Sequence, residues 1–129
     1  MIAVDSSAVA AVLFGEDGAE DLVRLLLSDD TVMSAPTRLE IGMVIEARTG
    51  AEGVRMLDSL LRTAGIDVVE FSSMQALVAL DAFHRFGKGR HRAGLNFGDC
   101  ISYAIAKSLG VPLLFVGDDF VHTDIRPVR

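Results

Sequence analysis

Five acidic residues sit where side chains can do chemistry: Asp5, Glu40, Asp99 and the adjacent pair Asp118 and Asp119. Carboxylates brought within a few ångströms of one another raise each other's pKa, and they cannot all stay ionised without a cation. Mg²⁺ or Mn²⁺ resolves that conflict, because hard divalent ions take oxygen ligands and leave positions open for water and phosphate oxygens. Each acid also has an ordinary use. Asp5 can cap a helix, Asp99 can complement a helix dipole, Glu40 can do the same in a first turn, and Asp118 and Asp119 suit a turn. A second group is basic: Arg85, Lys88, Arg90 and Arg92, with His84 and His91 interleaved. Such a segment offsets the repulsion between an acidic site and a phosphate backbone; without a ligand it is a solvated loop.

Whether the acids meet depends on the elements that carry them. Met1–Asp5 reads as a buried strand ending on its acid, with Ser6 and Ser7 as caps for a helix to Phe14. A helix follows from Ala19, with Leu22, Leu25 and Leu26 on one face, and then a strand over 31–35. Pro36 suits the first turn of a helix that carries Glu40 and stops at Gly50; a further helix covers 51–64, with Leu57, Leu60 and Leu61 apolar. Both leucine stripes are expected to be core. A strand over 66–71, a helix over 74–86, a basic glycine-rich loop over 87–98, a helix over 99–109 and a strand over 112–116 complete the pattern, with 125–128 as a short edge strand.

Strands alternating with helical stretches predict an α/β fold of three layers, a central parallel sheet of four to five strands with helices on both faces. Ligands bind such sheets beyond the carboxyl ends of the strands, where the strand order switches. If the first and last strands are neighbours, Asp5 and the Asp118–Asp119 pair share one edge, with Asp99 joining from a helix start and Glu40 from the side.

Composition narrows the class. The 129 residues fit one domain, 1–129; half are hydrophobic, and mean hydropathy is +0.40. This excludes intrinsic disorder, which needs a chain poor in large apolar residues. One cysteine, Cys100, leaves no internal disulfide, and with no signal-like start or spanning apolar run the expectation is a cytoplasmic protein without a membrane partner. Cys100 reads as a small buried hydrophobe, and His84, His91 and His122 lack the spacing of a zinc site. A formal charge of −6 argues against a generic nucleic-acid binder, so any such role rests on the basic segment alone.

The opening MIAVDSSA, Glu40 on its helix, RHRAGLNFGDCISYA over 90–104, LFVGDDF over 114–120 and Thr123-Asp124-Ile125 together resemble the PIN-domain ribonucleases, specifically the VapC-type toxins of bacterial toxin–antitoxin pairs. The similarity runs along nearly the whole chain, and LNFGDC and GDDF are its most specific parts. It implies a single PIN-like domain, an Mg²⁺-dependent endoribonuclease (Mn²⁺ as substitute) acting on tRNA or rRNA, a cognate antitoxin and a homodimer. Asp5, Glu40 and Asp99 match the three family acids. Asp118 is preferred over Asp119 as the fourth, with both as metal-ligand candidates. Arg85, Lys88, Arg90 and Arg92 would hold RNA phosphates. Arg92 replaces a proline common in relatives, which alters the loop but removes no ligand. The rival reading is a catalytically silent module of the same fold, whose acids accept a basic partner peptide. A phosphate-transfer receiver is disfavoured, because no Lys follows the last strand and no Asp ends the third.

Overall fold

The computed structural model describes every residue from Met1 to Arg129. Four short parallel strands form one sheet: β1 (Ile2–Val4), β2 (Thr31–Ser34), β3 (Asp67–Val69) and β4 (Leu113–Leu114), in the order β3-β2-β1-β4. Ile2 pairs with Thr31 and Met33 with Val68, while Ala3 and Val4 pair with Leu113 and Leu114. From β1 the chain builds outward to β2 and β3, then returns to the other side of β1. The strand order therefore switches between β1 and β4, and the crevice beyond their carboxyl ends is the place such a sheet offers a ligand.

Side-chain alternation assigns the two faces. Ile2, Val4, Met33 and Leu114 join a core with Val9 of α1 (Ser6–Leu13), Leu22 and Leu26 of α2 (Ala19–Ser28), and Ile41, Ile45, Leu57 and Leu61 of α3 (Ala35–Ala64). Their neighbours Ala3, Val32 and Leu113 face the other way. They pack with Ala82 of α4 (Ser73–Phe86) and with Tyr103 and Ile105 of α5 (Phe97–Leu109). Three layers result, as the alternating pattern predicts.

α3 is two helical arms joined at Gly50, whose φ of 70° and ψ of −161° are outside helical geometry. Arg38 and Asp58, 20 residues apart, would be separated by about 30 Å on a straight helix. They form an ion pair, so the arms fold back on one another. Glycine is needed here because a side chain is strained at that positive φ. The expected break at Gly50 is thus real.

Both leucine stripes are core: Leu22, Leu26, Leu57 and Leu61 are buried, with Leu25 and Leu60 packed against them. The exposed apolar residues lie elsewhere, with Leu39, Met43 and Val44 on the first arm of α3 and Met74, Leu77 and Leu80 on α4. Segment 125–128 does not add a full strand; it forms a single bridge, Leu113 to Pro127, in which Leu113 N–H donates to the Arg126 carbonyl and Val128 N–H to that of Leu113, so the missing N–H of Pro127 costs the pairing nothing. No helix is long and apolar enough to cross a membrane.

Candidate active site

Asp5 is the residue after β1, and its backbone N–H donates to the Leu114 carbonyl of β4 at 3.0 Å, which places it at the switch point. It is the N-cap of α1, a role the sequence offered to Ser6 and Ser7 as well. Three donors hold its buried carboxylate. Ser7 gives its backbone N–H (3.1 Å) and hydroxyl (2.6 Å) to Oδ2, and Ser102 of α5 gives its hydroxyl to Oδ1 at 2.5 Å. The Ser7 hydroxyl also accepts from Val116 N–H at 3.0 Å, tying the chain beyond β4 to the same carboxylate. Of roughly four lone-pair positions on a carboxylate, one remains, on Oδ1.

Asp99 is the third residue of α5. The helix starts at Phe97, two residues earlier than its pattern predicts, because Asn96 and Asp99 form a reciprocal capping box. Asn96 Oδ1 accepts from Asp99 N–H at 2.9 Å, and Asp99 Oδ2 from Asn96 N–H at 3.1 Å. Capping does not exhaust the residue. Its carboxyl is raised to about 7: burial is the largest cause, the Asn96 N–H opposes it, and the negative charges of Asp5, Asp119 and Glu40 add to it. Capping and convergence therefore coexist at Asp5 and at Asp99.

Glu40 lies on the first arm of α3, which Ser34 caps and Pro36 opens. Its Oε1 accepts from the Ser6 hydroxyl at 3.0 Å, and its carboxylate lies against the backbone of Gly98 in α5. Beyond β4, Asp118 and Asp119 are both exposed. Asp119 acts on Asp99, and Asp118 is not among the charges that do.

The structure thus brings Asp5, Glu40, Asp99 and Asp119 into one electrostatic cluster at the β1–β4 crevice. All its acids offer oxygen, and no cationic side chain acts on Asp99 to balance them. This donor chemistry suits a hard divalent ion. The cluster is not a closed cage, however: no three Asp, Glu, His or Cys side chains stand at the spacing of shared ligands. Burial, and then the Asp99 charge, push the Cys100 thiol up to about 11, which leaves it an inert apolar group.

The basic residues do not act as one set. Arg85 reaches Asp81, Asp124 and the Tyr103 hydroxyl, and it lies 4.7 Å from the Phe86 ring. Arg90 is 5.2 Å from the Phe83 ring, and Lys88 and Arg92 are exposed. Their loop is anchored at its base, where Lys88 N–H donates to the Leu95 carbonyl and Leu95 N–H to that of Phe86, each at 3.0 Å. Leu95 and Ala93 are buried, so the segment is less free than its glycines imply.

Sequence reasoning missed the residues that seat the acids: Ser6, Ser7, Ser102 and Gly98. One of them had a signal. Ser102 interrupts the buried run from Cys100 to Ala106, and a buried hydroxyl needs a partner.

The PIN domain family matches residues 2–126. Ribonuclease VapC30 of Mycobacterium tuberculosis is 48% identical over 126 residues, which is 97% of this chain and 96% of that protein. Among solved structures, the crystal structure of M. tuberculosis VapC20, described as a sarcin-ricin loop cleaving toxin, superposes with a TM-score of 0.79 at 19% identity, covering 100% of this chain and 99% of that one. A toxin–antitoxin complex from Klebsiella pneumoniae superposes with a TM-score of 0.71 at 15% identity, covering 96% and 93%.

Proposed function

The chain belongs to the PIN-domain family, in its VapC branch, and on that premise we propose that it is a metal-dependent endoribonuclease, the toxin of a toxin–antitoxin pair. The observation that carries this reading is the convergence of Asp5, Glu40, Asp119 and a half-buried Asp99 raised to about 7 at the sheet's switch point. Relatives named as ribonucleases, 48% identical over nearly the full length, support it.

In this mechanism Asp5 and Asp99 would hold the cation, Mg²⁺ or Mn²⁺, with Glu40 and the adjacent Asp118–Asp119 pair completing the acidic surround; of that pair, it is the Asp119 charge that bears on Asp99. A divalent ion bound there supplies Lewis acidity and offsets charge at the phosphate. Asp5 contributes its one free lone pair from Oδ1, fixed by Ser7 and Ser102. Glu40, held by the Ser6 hydroxyl at Oε1, orients and deprotonates the attacking water. Lys88, Arg90 and Arg92 hold flanking phosphates without reading sequence. Arg85 is committed to Asp124 and steadies the base of their loop.

The proposed substrate is a structured RNA, tRNA or rRNA, whose loops present unstacked bases. The proposed partners are a cognate antitoxin and a second copy of the chain, in the cytoplasm. The Klebsiella complex, a toxin with its antitoxin, supports the first of these. The test is incubation of total cellular RNA with the purified protein, with Mg²⁺ or Mn²⁺, with EDTA, and with Asp99→Asn in parallel. Discrete fragments that need metal and vanish in the variant are expected. A pattern shared by wild type and variant, or no cleavage by folded protein, would overturn the reading.

A further inference from the structure

Glycine costs a helix stability unless its backbone or its missing side chain is needed. Gly98, in the first turn of α5, is not in the left-handed region where glycine is favoured. Any residue could adopt its conformation, so the reason for glycine must be space. The three atoms nearest to an added Cβ all belong to the Glu40 carboxyl group: Cδ and Oε1 at 2.8 Å, and Oε2 closer still. The volume of one methyl group is thus filled by the head of an acid from α3. Oε1 of that head also accepts from the Ser6 hydroxyl at 3.0 Å. Residue 98 also directly precedes Asp99, so the same turn of helix seats one acid and carries the next.

We propose that Gly98 is a positioning residue for RNA cleavage: its bare Cα forms, with Ser6, the seat that holds the Glu40 carboxylate beside Asp99. This rests on the nuclease reading above, with Glu40 acting on the attacking water. Gly98 touches neither substrate nor reacting atoms; it acts through Glu40. A methyl group here forces the acid outward. Because the displaced atoms are the end of a flexible side chain, the fold absorbs the change.

Gly98→Ala is the test. The variant should melt at or above the wild-type temperature, since alanine is the better helix former. Its kcat for RNA cleavage should fall about 10- to 100-fold with KM within about twofold, the signature of a misplaced catalytic group. In carboxyl-¹³C NMR the Glu40 resonance, assigned with Glu40→Gln, should move while that of Asp124 stays. In a Glu40→Gln background the same glycine change should cost less than about twofold further, because coupled residues are not additive. Gly98→Ala cleaving like wild type with Glu40 unmoved would overturn the proposal and leave the nuclease reading standing. Loss of stability in proportion to activity would overturn it in favour of a structural role. Failure of wild type itself to cleave would overturn the nuclease reading, and this proposal with it.

Discussion

Asp99 and Asp124 are two aspartates of one small domain held at opposite ends of the carboxyl range. Asp99 is raised to about 7: burial, with Asp5, Asp119 and Glu40 as neighbours, outweighs the single Asn96 N–H. At Asp124 burial would also raise the carboxyl, but the Tyr103 hydroxyl (2.7 Å), the Lys107 ammonium (2.9 Å) and Arg85 (3.3 Å) outweigh it and bring it down to about 2. One cluster is completed within the chain; the other is left short of positive charge. A fold supplies its own counter-ions where an acid serves structure, and a deficit marks where a ligand must supply them.

The widest separation of the two regions should come from cleavage. Asp99→Asn or Asp5→Asn is expected to lower RNA cleavage by about 10³-fold or more, since each removes a charge the reaction depends on. Asp124→Asn should leave kcat within a few-fold, measured with the same RNA. Equal losses at both sites would dissolve the distinction.

Stability should reverse that ranking. Asp124→Ala is expected to cost about 1 kcal/mol, a modest figure because the group is partly exposed and its ion pairs are screened. Metal-free Asp99→Asn should be as stable as wild type or more so, since it relieves repulsion. Urea unfolding in EDTA reads both.

The pH dependence carries opposite signs. A carboxyl in the unfolded chain titrates at about 4. Asp99 is raised above that, so metal-free protein should lose stability as pH rises from about 4 through about 7, and saturating Mn²⁺ or Asp99→Asn should flatten this slope. Asp124 is lowered, so its contribution is present above about pH 4 and is lost as pH falls towards 2. Asp124→Asn should remove that acid limb alone. Thermal melts from pH 2 to 8 would show whether the two windows separate.

The smallest effect concerns the basic segment. Replacing Lys88, Arg90 or Arg92 by Ala should weaken RNA binding and reduce the salt slope by about 0.7 for each phosphate no longer neutralised, as for single strands. Arg85→Ala should change the slope less and lower the melting temperature more, because its guanidinium is already engaged by Asp81 and Asp124. An Arg85 slope change as large as the others would place it among the groups that bind RNA.

Much of this is legible from residue order. Asp5 at the end of an apolar run, Pro36 and Gly50 bounding one helical arm, and glycines closing others are local signals, and the elements follow them. Periodicity places the start of α5 two residues late because Asn96 and Asp99 share the cap, and either alone can open a helix. The fifth strand reduces to one bridge, at Pro127, although the apolar residues around it read as a strand. The seats of the acids are hidden for a different reason. Ser102 lies 97 residues from Asp5, and Gly98 matters only through an acid on another helix.

The sequence by itself determined which residue types exist to do chemistry, the alternation of strands and helices, and the family to which the pattern belongs. These depend on periodicity, caps and breakers within a few residues of one another. Only the tertiary structure decided that Arg85 is engaged by Asp124 and that Glu40 rests in a gap one methyl group wide. Those choices are made by distances of a few ångströms between segments far apart in the chain. Coulomb energy and steric repulsion change steeply at that range, and residue order carries no measure of it.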